Sequence, residues 1–277
     1  VIDQAESLRL RMENHHPYVP NYLAISGHSR NSSQSCFCLT LSQSLSEFGK
    51  RVLVIYLGNE VQPWTGVPQS ISIAETLNRK QPIKNAMVRY HDVSYMRSGS
   101  QLIDNLKKNN ECLSELKMSF NEIKNDFDCF LFDFEHVNDF ENYGSVFDML
   151  LFLSKGTEQA VLSTYSMLKK FRQLYQDLEL ACVLIEEKTL GDAIKIGERL
   201  IKISDRHLKK AFKWACIFPS NSDDTDTMSH PFSMQNIFSR ICARKYLHYL
   251  SQLDDQKSTR FFDRIEKCLQ TVRIDQS

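Results

Sequence analysis

The chain has 277 residues, 42% of them hydrophobic, enough to bury one sizeable core in a single α/β domain. Its 34 Lys and Arg balance 34 Asp and Glu, and a formal net charge of zero argues against general nucleic-acid binding. No stretch approaches the ~20 apolar residues that span a bilayer, and the eight scattered cysteines form neither a Cys-x-x-Cys pair nor a disulfide-like cluster, so a cytoplasmic protein with reduced thiols is expected.

The first predicted element is a short helix over residues 1–13. Asp3 can cap it, with Glu6 three residues on as in a capping box, and Ala5, Leu8 and Met12 share one edge. A proline-bearing linker follows over 14–21. A helix this short is marginal alone, so it either docks on a partner or packs on its own domain.

The body, predicted over 22–257, opens with the strand Tyr22-Leu23-Ala24-Ile25. A helix carrying Phe37, Leu41, Leu45 and Phe48 on one face comes next. Between them, SGHSRNSSQS has the outline of a phosphate-binding loop, strand before and helix after. Such a loop needs several glycines, because its N–H groups turn inward on phosphate in conformations that side chains disfavour. It also needs a lysine for the β/γ-phosphates and a following hydroxyl for Mg²⁺. Here Gly27 is the only glycine, and Ser33-Gln34 stands where Lys-Ser or Lys-Thr is required.

A second strand, Arg51 to Ile55, leads into Tyr56 and Gly58. A later one, Cys129-Phe130-Leu131-Phe132-Asp133, runs apolar residues into an aspartate in Walker B fashion. Helices over Thr157–Tyr175, Gly191–Ile203 and Ser233–Leu253 alternate with strands near Leu180–Ile185 and Trp214–Pro219. That alternation predicts an α/β fold, a mostly parallel sheet flanked by helices on both faces.

No metal site is expected. Cys36 and Cys38 point apart on a helix, and the histidines show no ligand spacing. The polar stretch Ser220–His230, with Asp223, Asp224 and Asp226, lacks the glycine and terminal glutamate of a calcium loop. Residues 258–277 form a predicted amphipathic helix whose face is Phe261, Phe262, Ile265 and Leu269, continued by Val272. Flanking Arg260, Arg264, Lys267 and Arg273 suit a membrane surface, while Asp263 and Glu266 dilute the charge; packing on the body is the alternative.

Taken together, these motifs resemble the FlhG family, also called YlxH, flagellar-number regulators among the MinD/ParA deviant P-loop ATPases. Asp3, Gln4, Ala5, Leu8 and Arg9 match its DQAxxLR motif, directly ahead of a MinD-type domain. Ala160 and Tyr165-Ser166-Met167-Leu168-Lys169 are similar to a later family helix. Laid on the family loop KGGxGK[ST], the signature lysine falls on His28, glycines on Ser29, Arg30 and Ser32, the phosphate lysine on Ser33 and the Mg²⁺ hydroxyl on Gln34. The family's Asp-x-Asp falls on Tyr56 and Gly58, its glycine-containing switch on Phe134-Glu135-His136-Val137, and its adenine-reading asparagine on Glu186-Glu187.

The resemblance therefore implies a MinD-like fold with a vestigial loop of Gly27, His28, Ser33, Gln34 and Asp133, no catalytic residue and no bound cofactor. It implies the signal-recognition-type GTPase FlhF as partner, bound and stimulated through Asp3, Gln4, Ala5, Leu8 and Arg9, with flagellar C-ring components as further partners. A monomer is implied, as is peripheral contact with the inner face of the cell membrane. Two other readings stay open: an active MinD-type ATPase using Arg30 or His28 in place of lysine, and a MinD-like adaptor for another polar or secretion system.

Overall fold

The structure, a computed structural model, describes residues 21–27, 32–59, 63–64, 66–99, 102, 105–106, 110–176, 178–186, 190–207, 215–219 and 234–250. The predicted N-terminal helix with Asp3, Gln4, Ala5, Leu8 and Arg9, its linker, His28, and the C-terminal face of Phe261, Phe262, Ile265 and Leu269 lie outside the described residues.

In chain order the strands are β1 (Asn21–Gly27), β2 (Val52–Leu57), β3 (Val88–Tyr90), β4 (Val93–Arg97), β5 (Cys129–Phe134), β6 (Met149–Lys155), β7 (Glu179–Glu186) and β8 (Ala215–Pro219). The helices are α1 (Ser32–Glu47), α2 (Ile73–Asn78), α3 (Asn110–Ile123), α4 (Val137–Tyr143), α5 (Glu158–Leu174), α6 (Leu190–His207) and α7 (Met234–Leu250). The strands form one sheet in the order β3-β4-β2-β5-β1-β6-β7-β8. Every described pairing is parallel except β3 with β4. That hairpin closes through His91 and Asp92 at φ 46° and 62°, the left-handed pair a two-residue turn demands.

The central strands are apolar on both faces, as expected where helices cover both sides of a parallel sheet. Their alternation still sorts the core. Tyr22, Ala24, Phe130 and Phe132 point to one layer with α2 and α3, whereas Leu23, Ile25, Cys129 and Leu131 point to the other with α1 and α7. The first layer is phenylalanine-rich: Phe140 of α4 meets Phe134, Phe147 and Phe171 at 5.5, 5.9 and 5.1 Å between ring centroids. Burial also pushes the Cys129 thiol up to about 12, which leaves it un-ionised and inert at neutral pH.

Helix α1 buries Phe37, Leu41 and Leu45 as its spacing predicts, while Phe48 lies just past its end and packs under the Arg244 guanidinium at 5.5 Å. Its hydroxyls are buried too. Thr40, Ser42 and Ser44 donate back to carbonyls of the preceding turn, at 2.9, 2.8 and 2.8 Å, and Thr40 Oγ1 meets Ser239 Oγ of α7 at 2.6 Å. These internal bonds give the three buried hydroxyls acceptors within the helix itself. Among the described residues no helix is long and apolar enough to cross a membrane.

Candidate functional site

β1 stands between β5 and β6, where the chain reverses its direction across the sheet, and ligands of open α/β sheets bind beyond the carboxyl ends of strands at such a point. The segment with the outline of a phosphate-binding loop follows this position in sequence. Gly27 ends β1, and a Cβ there would come 3.0 Å from the Leu153 carbonyl oxygen of β6 and 3.3 Å from Gln34 Oε1. A side chain at this position would thus need the β6 backbone and Gln34 to give by a few tenths of an ångström, a packing reason for glycine that involves no ligand.

Gln34, the residue that the sequence comparison laid on the Mg²⁺ hydroxyl, lies in the first turn of α1 and is 1% exposed. Its side-chain amide donates to Asp133 Oδ1 at 2.8 Å and to the Phe134 carbonyl at 2.9 Å. Asp133 is fully buried, in register between Ile25 and Tyr56. Its other oxygen, Oδ2, accepts from the indole of Trp64 at 3.0 Å. Both oxygens of this Walker B-like carboxylate are thus hydrogen-bonded to neutral donors of the protein.

Trp64 is the member of the site that sequence reasoning missed. It sits in the segment after β2, 3% exposed, with its ring 6.0 Å from Tyr56 and 5.1 Å from Tyr95. The Tyr95 hydroxyl meets Ser42 Oγ of α1 at 3.0 Å, tying the aromatic group back to the helix that carries Gln34. A buried tryptophan needs an acceptor for its N–H, and the Asp133 carboxylate at a predicted strand end was the available signal.

The two residues that the sequence comparison laid on Asp-x-Asp are packed within the protein. Tyr56 is completely buried, and a Cβ on Gly58 would collide with the Tyr56 hydroxyl and the Glu135 carboxylate. Glu135 Oε2 accepts from the Asn59 backbone N–H at 2.7 Å, so the Glu135 side chain, just past β5, fastens the segment that follows β2. Ser33 is half-buried beside Gln34 at the start of α1. Glu186 ends β7 opposite Pro219 of β8. Among the described residues no group of three or more His, Cys, Asp or Glu gathers as metal ligands.

No protein-family model matches the chain, and no curated protein sequence matches it. Among solved structures it is similar to the MinD cell division protein of Aquifex aeolicus, with TM-score 0.59 and 14% identity over 82% of this chain and 97% of that one. It is similar to a plasmid partition protein from Borrelia burgdorferi, with TM-score 0.56 and 13% identity over 83% and 99%. Cobyrinic acid a,c-diamide synthase from Mycobacterium smegmatis, with bound ATP analog and magnesium, gives TM-score 0.58 and 16% identity over 84% and 96%. At such identities the likeness is one of fold. The eight-stranded, mostly parallel sheet with helices on both faces is a MinD-like P-loop fold.

Proposed function

We propose that this chain is a non-catalytic, FlhG-like regulator of flagellar number or placement that binds and stimulates the GTPase FlhF through its N-terminal DQAESLR segment. The observation that carries the non-catalytic part is the hydrogen-bonded set Gln34–Asp133–Trp64. A P-loop ATPase needs a Ser or Thr hydroxyl at the Gln34 position to hold Mg²⁺ and a Walker B carboxylate facing the metal. Here an amide that donates to Asp133 stands in place of the hydroxyl, and an indole takes the second carboxylate oxygen. The missing lysine removes the charge that would stabilise the transferring phosphoryl group. The partner assignment is supported by the motif ahead of a MinD-like fold, and the body is then a carrier for it.

Calorimetric titration of the full chain with ATP and with ADP, in the presence of Mg²⁺, is expected to give no binding at millimolar nucleotide and no ATP hydrolysis. Micromolar affinity would overturn the reading and restore the active-ATPase alternative. The same logic applies to assembly. In the family, ATP between two subunits, with the signature lysine reaching across, couples nucleotide to dimerisation, and that linkage needs both ligand and lysine. Light scattering is expected to give a monomer whose mass is the same with and without ATP and Mg²⁺; an ATP-dependent dimer is the contrary outcome.

A further inference from the structure

Helix α6 is buried on one side only. Ala193, Gly197, Leu200 and Ser204 face inward, Leu200 against Val161, Cys182 and Leu184. At about 100° per residue, Lys195, Arg199, Lys202 and Arg206 fall within one sector of about 60° on the opposite side. All four are exposed. Arg199 lies 3.2 Å from Glu158 of α5, and among the described residues the other three are within ion-pair distance of no carboxylate. Like charges at these helical spacings repel, so the row gains from an acidic neighbour.

A second feature lies about 110° round the same helix. Ile196 and Ile203 are half-buried with Tyr165 on the α5 side. On the other side Ile194 and Ile201, one stripe at i and i+7, remain 44% and 37% exposed. Glu198 and Asp205 occupy the seam between this apolar stripe and the basic row, and both are exposed.

We propose that this face of α6 docks an acidic amphipathic helix of a protein partner. Its carboxylates would meet Lys195, Arg199, Lys202 and Arg206, and its apolar stripe would cover Ile194 and Ile201. The seam selects the occupant. A bilayer of anionic lipid or a nucleic-acid backbone, uniformly negative, would press against Glu198 and Asp205 in reaching both stripes. A protein helix can set a basic residue against that pair and acidic ones beside it. The inference stands on α6 alone and is independent of the FlhF reading.

The test uses the full chain and a labelled synthetic helical peptide with glutamates at i, i+4, i+7 and i+11, leucines on the adjoining stripe and a lysine at their seam. Fluorescence anisotropy is expected to show saturable binding that weakens about tenfold or more in the Lys195→Glu/Lys202→Glu variant and with glutamine in place of the peptide glutamates. The Lys195→Arg/Lys202→Arg variant is expected to bind as wild type. Lys195→Gln/Lys202→Gln serves in place of the reversal should circular dichroism show that variant unfolded. No saturable binding, or equal binding to wild type and the charge-altered variant, overturns the proposal. So does stronger, lysine-dependent binding of phosphatidylglycerol vesicles or duplex DNA than of the peptide.

Discussion

Deleting residues 1–16 is expected to abolish stimulation of GTP hydrolysis by the cognate FlhF while leaving the body folded by circular dichroism. The folded half of that expectation rests on the core. Both main hydrophobic clusters draw their members from β1 through to β7 or α7, so the body carries a core of its own. The functional half rests on the motif. A peptide spanning residues 1–14 is expected to stimulate FlhF almost as well as the full chain. Gln4→Ala and Arg9→Ala are each expected to weaken stimulation, because alanine favours the helix while a polar group buried against a partner is costly to lose, about 2 kcal/mol or roughly thirtyfold for a hot spot. Unchanged stimulation after the deletion, or none from the full chain, removes the FlhF assignment and leaves a MinD-like adaptor.

The fold was legible because its strands are continuous apolar runs with punctuation around them. Tyr22 to Ile25, Cys129 to Asp133 and Leu180 to Ile185 each lie inside an observed strand, and the helix expected over Thr157–Tyr175 is α5 with Thr157 as its N-cap, its hydroxyl accepting from the Ala160 amide at 3.3 Å. The β3–β4 hairpin was not legible, since its turn is His91-Asp92 rather than an asparagine or aspartate followed by glycine. Within the site, Gln34 and Asp133 could be read as positions but not as partners, because 99 residues separate them in sequence. Read alone, Gln34 is a lost hydroxyl; only the sheet brings its amide to the carboxylate. Trp64 escaped for the same reason, being 69 residues from its acceptor in a segment without periodicity. The resemblance indicated which positions to compare, and the packing shows what the residues at those positions contact.

Asp133→Asn distinguishes a structural carboxylate from a catalytic one. In a working P-loop site that change removes a charge aimed at metal and costs activity, with little expected effect on the apo fold. Here both oxygens face donors, Gln34 Nε2 at 2.8 Å and Trp64 Nε1 at 3.0 Å, so an asparagine must turn its own NH₂ toward one of them in either orientation. A buried donor facing a donor loses a hydrogen bond and strands both groups, a cost of about 2–3 kcal/mol when the bond was to a charged acceptor. Trp64→Ala should cost more, about 3–5 kcal/mol, because it adds a large buried cavity beside Tyr56 and Tyr95 to the loss of the Oδ2 partner. Combining Trp64→Ala with Asp133→Asn should be less than additive, since the asparagine can then turn its NH₂ into the space the indole leaves. Urea unfolding followed by circular dichroism measures all three. Asp126→Asn is the control, its ion pair with Lys84 at 3.0 Å being half-exposed and worth under about 1 kcal/mol. An Asp133→Asn chain that unfolds within about 0.5 kcal/mol of wild type, the scatter expected of an ordinary surface substitution, would show that the carboxylate is not held as a structural acceptor and would return it to the role of a metal ligand.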